Sequence, residues 1–299
     1  MTLLSLDRPF GQLVPVAMDT SNVIDLGHET LPEWYITFKE MKNSGEFTFC
    51  LSDLTVGELL KAINNKKHNW FSFTMSLERL YPLLDDVLPI LPGGVDMEKL
   101  CGMDIPRETS EFSLDVIINR SQLLWKKMYE GGRKSDIYHV ERIESLKCDF
   151  DKLKTRYQKT FISPENTAQE LGLDLNNLSK DKAAQREFAE AFRGKFKKYK
   201  ARDFTVDQVL DLYIQLRIQL FIEFTRNGGY NPMKKKDNHS FDLLLFEVLP
   251  LPAIILIDEN MYNKVQQTNS YQRKWVFTAS KLAATFQLGD LESLELRFQ

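Results

Sequence analysis

Acidic residues stand just beyond or just ahead of several apolar runs in this 299-residue chain. Asp19 follows VPVAM, Ser52, Asp53 and then Glu58 follow FTFCL, Asp242 opens SFDLLLFEVL, and Asp258 follows AIILI. Carboxylates gathered at one end of a fold repel one another, by several kcal/mol at ~4 Å in a partly desolvated site. A hard divalent cation that prefers oxygen ligands, Mg2+ or Mn2+, relieves that repulsion. An ion held there can orient a water, lower its pKa and neutralise charge on the transition state of a phosphodiester. Acids, rather than histidines, are what this chemistry needs.

The elements that must position these acids are short. Segments 14–18, 47–51 and 253–257 are β-branched or aromatic-rich, and each stops abruptly at a polar residue, as buried parallel strands do. Segment 275–279 (WVFTA) is a fourth. Helical patterns follow three of them, for example over 55–63, so the expected class is α/β with a parallel sheet and flanking helices. In open sheets of this kind ligands bind beyond the carboxyl ends of the strands.

Between 111 and 226 the pattern is helical, with no convincing strand. Leu114, Ile117, Ile118, Ser121, Leu124, Trp125 and Met128 recur at helical spacing, with Gly131-Gly132 as an expected stop. A heptad-like stripe from Ile137 to Tyr157 predicts a long helix packed on a partner. Ser163-Pro164 opens another helix, and Thr205 with Gln208 predicts a capping box for a last one through 224. The expected organisation is a discontinuous α/β domain, 1–95 and 230–299, interrupted by a large all-helical insertion, 96–229. The joints fall at Leu91-Pro-Gly-Gly94 and Asn227-Gly-Gly-Tyr-Asn-Pro232.

Hydrophobic residues make up 43% of the chain and charged residues 27%, which fits a globular protein. The net charge of −3 leaves nucleic-acid binding to local basic patches. No apolar run reaches the roughly 18 residues a membrane span needs, and MTLLSLDRPF lacks the features of a signal peptide. Cys50, Cys101 and Cys148 lie far apart without metal-ligand spacing, which points to a reducing, cytoplasmic setting and away from structural zinc. The histidines (His28, His68, His139, His239) are scattered, and no phosphate loop, dinucleotide fingerprint or Ser/His/Asp signature is present.

Taken in order, the acidic segments resemble those of PIN-domain nucleases. VAMDTSNVID (16–25) is similar to that family's opening, a first strand ending in Asp-Thr-Ser/Asn, which Asp19, Thr20 and Ser21 match; Asn22 stands where an apolar residue is usual. LSDLTVGELL (51–60) resembles the second acidic element, with Glu58 as its glutamate. SFDLLLFEVL (240–249) resembles the third with Asp242, and AIILIDEN (253–260) the fourth with Asp258, although Leu256 replaces the family's frequent Thr or Ser. Asp237 competes with Asp242 for the third position. The resemblance covers both ends of the chain and not its middle. It implies a PIN-like sheet and a divalent-metal-dependent endonuclease, on RNA ahead of single-stranded DNA. Asp19, Glu58, Asp242 and Asp258 would hold Mg2+ or Mn2+, supported by Thr20 and Ser21, and the inserted helices would clamp substrate or receive a protein partner or inhibitor. Nucleases of this kind often act as toxins or in defence.

Each motif also has a plainer reading. Asp19-Thr20-Ser21 is a good helix N-terminus, Thr55-Val-Gly-Glu58 is a capping box, Asp242 suits a first helical turn, and Asp258 suits a strand-to-turn position. The stretch Arg193-Gly-Lys-Phe-Lys-Lys-Tyr-Lys-Ala-Arg202 carries six positive charges. Lys195, Lys197, Lys198 and Lys200 could meet phosphates while Phe196 and Tyr199 stack on bases, or the stretch is a solvated helix face with its aromatics turned inward. Lys234, Lys235 and Lys236, just ahead of Asp242, either lead a backbone to the site or form an exposed loop; His239 is a substrate contact or an incidental loop residue.

Overall fold

Val14–Met18 (β1) forms the middle of a sheet because it is apolar toward both faces, with Val16, Ala17 and Met18 fully buried. Phe47–Ser52 (β2) pairs with it in parallel, Val14 opposite Phe47 and Met18 opposite Leu51. On its other side, Ile254–Leu256 (β6) pairs in parallel, with Met18 opposite Leu256. Two short edge strands, Ile90–Leu91 (β3) beside β2 and Val276–Phe277 (β7) beside β6, complete a five-stranded parallel sheet in the order β3-β2-β1-β6-β7. The structure, a computed structural model, describes residues 10–62, 70–105, 113–133, 164–226, 243–251 and 253–290.

Helices cover the sheet. Thr20–Asp25 (α1), Trp34–Asn43 (α2), Asp53–Ala62 (α3) and Trp70–Leu80 (α4) belong to the first half. Glu259–Gln266 (α12) and Ala279–Gln287 (α13) belong to the last strands. Glycine sets one close approach: a Cβ on Gly27 would lie 2.6 Å from the Ser72 carbonyl oxygen and 2.7 Å from Ser76 Oγ, so α4 can press on the end of α1 only where that carbon is missing. Arg79 of α4 secures the same junction, donating from Nη1 to the Leu26 and His28 carbonyls.

Helix α3 begins earlier than its expected capping box. It starts at Asp53, and Ser52 Oγ accepts from the Thr55 backbone N–H at 2.9 Å, while Thr55 Oγ1 donates to the Met18 carbonyl at 3.0 Å. Thr55 therefore ties α3 to the carboxyl end of β1, and Glu58 is released from a capping role.

In the middle of the chain, Gly94–Leu100 (α5) is followed by Leu114–Arg133 (α6). Gly131-Gly132 does not stop α6. The helix runs through them because Gly132 lies against Phe73 and Leu77 of α4, and Thr74 Oγ1 donates to its carbonyl at 2.5 Å. Helix α6 also shields the sheet edge, its Ser121 Oγ accepting from the Ile90 N–H of β3 at 2.8 Å. Further on lie Pro164–Glu170 (α7), Leu175–Leu178 (α8) and Lys182–Lys197 (α9). A small antiparallel hairpin follows, Lys200–Ala201 (β4) and Phe204–Thr205 (β5), in a region expected to be wholly helical. Its turn holds Arg202 at φ 54, the one positive-φ residue besides glycine among those described.

Val206–Val209 (α10) and Asp211–Arg226 (α11) then replace the single expected helix, with the break at Leu210. The expected capping interaction is present, the Thr205 N–H donating to Gln208 Oε1 at 2.9 Å. Helix α11 packs on the 3-10 turn Leu243–Val248 that leads into β6. One continuous apolar cluster joins the sheet strands to Phe188, Phe192 and Phe196 of α9 and to Tyr213, Leu216 and Leu220 of α11. The long helix expected over 137–157 lies outside the described residues, as does Ser163. Among the described residues no helix is long and apolar enough to cross a membrane.

Candidate functional site

The carboxyl edge of the sheet collects the ends of β1, β2 and β6. Because Met18 is level with both Leu51 and Leu256, the residues that follow, Asp19, Ser52 and Ile257, leave the sheet side by side on strands about 4.8 Å apart. Asp19 is half-buried there and serves as N-cap of α1; its Oδ2 accepts from Ser21 Oγ at 2.7 Å and from the Ser21 N–H at 3.3 Å. The next residue, Thr20, donates its hydroxyl to Glu58 Oε2 at 2.5 Å. Asp19, Thr20, Ser21 and Glu58 thus form one linked group spanning the start of α1 and the second turn of α3, although 38 residues separate Thr20 from Glu58.

Asp258 stands at the exit of the neighbouring strand but faces solvent. It caps α12, its Oδ1 accepting from the Met261 N–H at 2.7 Å. Both Asp19 and Asp258 are therefore helix caps whatever else they do. Asp242, the competing Asp237, Lys234, Lys235, Lys236 and His239 lie outside the described residues. Among the described residues no group of three or more His, Cys, Asp or Glu side chains is placed to hold a metal ion. The oxygen-only donors of Asp19 and Glu58 suit Mg2+ or Mn2+ in kind, and they fall short of a cage in number.

A narrow cavity opens at the carboxyl end of β2, between the Pro92–Gly94 segment and the 3-10 turn before β6. Ser52, Asp53, Gly93, Gly94, Met97 and Glu247 are among its lining residues. Glu247 was not singled out by its sequence. It is buried at 6% exposure within the same SFDLLLFEVL segment, five residues after Asp242, and its flanking Phe246 and Val248 were the available signal. The buried Tyr213 hydroxyl hydrogen-bonds to it and accepts from Arg217 Nη1 at 3.1 Å. Burial pushes the Tyr213 phenol well up, against the opposing pull of Arg217, so it stays a donor. That network ties α11 to the cavity wall. Asn22, one turn from Asp19, is also buried, and its Oδ1 has no hydrogen-bond partner among the described residues.

The basic stretch resolves into distinct roles. Phe196 is a core residue at 3% exposure, its ring 5.4 Å from that of Phe192, so it cannot stack on a base. Arg193 bonds to Asp211 at 2.5 Å, and Lys195 pairs with Glu170 at 2.5 Å. Lys197, Lys198 and Lys200 are exposed, with Lys198 Nζ lying 5.0 Å from the Tyr199 ring centre. Burial pushes the Cys50 and Cys101 thiols well up, which removes both as nucleophiles. Compared with protein-family models, with curated proteins and with solved structures, the chain matches none of them.

Proposed function

We propose that this chain is a PIN-like, divalent-metal-dependent endonuclease that hydrolyses phosphodiester bonds in RNA, with single-stranded DNA as the lesser substrate. The observation that carries this reading is the Asp19–Thr20–Ser21–Glu58 group at the carboxyl edge of a parallel sheet ordered β3-β2-β1-β6-β7. Asp242 and Asp258 complete the acid set in this reading. A bound Mg2+ or Mn2+ would supply Lewis-acid stabilisation and an activated water. The protein's own share is positional. Ser21 holds one Asp19 oxygen, and Thr20 holds one Glu58 oxygen.

Cleavage of RNA and single-stranded DNA in Mg2+ or Mn2+, by the wild type and by Asp19→Asn, tests the proposal. Asparagine caps a helix as well as aspartate, so the variant should fold normally and lose activity. Equal activity in both proteins removes Asp19 from the mechanism, and cleavage that survives excess chelator removes the metal. A second reading, a non-catalytic PIN-like binding module, is favoured by the helix-capping bonds that account for Asp19 and Asp258 without a metal. It predicts nucleic-acid or protein binding by the wild type with no cleavage in either metal.

A further inference from the structure

The β4–β5 hairpin overlaps the end of the basic stretch and carries an exposed aromatic residue just beyond it. Phe204 is 39% exposed, whereas of the two aromatics inside the stretch Phe196 is buried and Tyr199 is half-buried. The hairpin is not a loose appendage. Its β4 strand docks on the segment after α5: Ala201 bridges Met103, the Arg202 N–H donates to the Gly102 carbonyl at 3.3 Å, and the Asp104 N–H donates to the Lys200 carbonyl at 2.7 Å.

Helix α5 connects this platform to the cavity at the sheet edge. Gly94, its first residue, lines the cavity beside Asp53, and its last turn leads directly into Gly102–Asp104. Its seven residues span about 10 Å at about 1.5 Å each. That equals about three nucleotides of a stacked strand at about 3.4 Å per nucleotide.

We propose that a single-stranded nucleic acid, leaving the carboxyl edge of the sheet, runs along α5 and over this hairpin, with a base stacked on Phe204 and phosphates met by Lys197, Lys198 and Lys200. The proposal rests on the nuclease reading for its substrate class. Lys197, Lys198 and Lys200 form no ion pair among the described residues, unlike Arg193 and Lys195 in the same stretch. The register places Lys200 opposite Thr205 and Ala201 opposite Phe204, so Lys200 and Phe204 lie on opposite faces of the ribbon. The ribbon is two residue pairs long and about 4.8 Å wide, so a strand crossing its edge meets both faces. Exposed Asp104, beside Lys200, and Asp203, in the turn, subtract from the positive charge, so stacking on Phe204 must add to the phosphate contacts, which a single strand with its bases unpaired allows.

Fluorescence anisotropy with a labelled oligouridine, its DNA counterpart and a duplex of the same length, in chelator so that nothing is cut, tests this directly. Phe204→Ala and Phe204→Leu should each weaken single-strand binding by about tenfold, as loss of one stacked base does, and leave duplex binding unchanged. The triple variant Lys197→Gln/Lys198→Gln/Lys200→Gln should lower the slope of log affinity against log salt by about 2, at about 0.7 per single-strand phosphate contact. Lys39→Gln, on the distant α2, should change neither quantity. Unchanged affinity and slope in the hairpin variants, or no single-strand binding by the wild type, overturns the proposal. Loss of binding in these variants, combined with no cleavage by the wild type in Mn2+, keeps the interface and removes the nuclease. Cleavage by the wild type with unaltered binding in the hairpin variants does the reverse.

Discussion

Replacing Thr20 by valine removes one hydroxyl and keeps the β-branched shape at the first position of α1. The hydroxyl donates to Glu58 Oε2 at 2.5 Å, and a hydrogen bond to a charged group contributes about 1.5–3 kcal/mol. Thr20 and Glu58 are both half-buried, so solvent competes and the lower end, about 1.5 kcal/mol, is the expected loss. At about 2–4 °C per kcal/mol for a chain of this order of size, the melting temperature should fall by about 3–6 °C. Thr20→Ser keeps the donor and should stay close to wild type. Urea unfolding of Thr20→Val, Glu58→Gln and the double variant closes a thermodynamic cycle whose coupling should be about 1 kcal/mol or more. If the valine and serine variants unfold together and the cycle is additive within about 0.5 kcal/mol, the bond contributes nothing to stability and the linkage of α1 to α3 drawn here is wrong. On the nuclease reading the same valine variant should also lose about tenfold in metal-dependent cleavage under conditions where it remains folded, because Glu58 is no longer aimed.

Other perturbations have outcomes as definite. Asp85 is buried at 6% exposure and accepts from Thr48 Oγ1, the Val87 N–H and the Leu88 N–H, so Asp85→Ala strands three donors and should cost about 2–4 kcal/mol in urea unfolding. Gly27→Ala places a carbon 2.6 Å from a backbone carbonyl that cannot swing away, and should cost about 2 kcal/mol or more by thermal unfolding. Burial lifts the Asp25 carboxyl above its ordinary value, against a weaker pull from His28. The folded state therefore holds that proton more tightly than the unfolded state, and stability is lost as pH rises through the acid range. Asp25→Asn should flatten the fall of the urea midpoint that begins above the ordinary carboxylate range, leaving neutral-pH stability equal or higher.

How much of this could be read in advance differs from element to element. VPVAM matches β1 residue for residue, because a run that is apolar toward both faces and ends in Asp allows little else. FTFCL gains one residue at its end and AIILI loses one at each end. β3 escaped notice because its two residues, Ile90 and Leu91, are too few to show a strand pattern and run into the joint at 91–94; they become a strand only when β2 and Ser121 of α6 supply the partners. Gly131-Gly132 reads as a stop locally and is overruled by the packing of α4. The hairpin at 200–205 was hidden because its turn uses Arg202, where a glycine would have announced the positive φ. The placement of Asp19 at the exit of β1 and of Glu58 in the helix after β2 was legible, whereas the Thr20–Glu58 bond was not, since contact across 38 residues is a property of the packed fold.

The strand order also bears on how the chain is made. β1 finds β2 almost at once, but its opposite edge waits for β6, with Ala17 opposite Ile255 across 238 residues. At about 5–20 residues per second of synthesis, the nascent protein presents a bare row of backbone donors and acceptors on a wholly apolar strand for about 12–48 s. Any chain cut short before residue 254 keeps that open seam, a ready template for a second copy to zip onto.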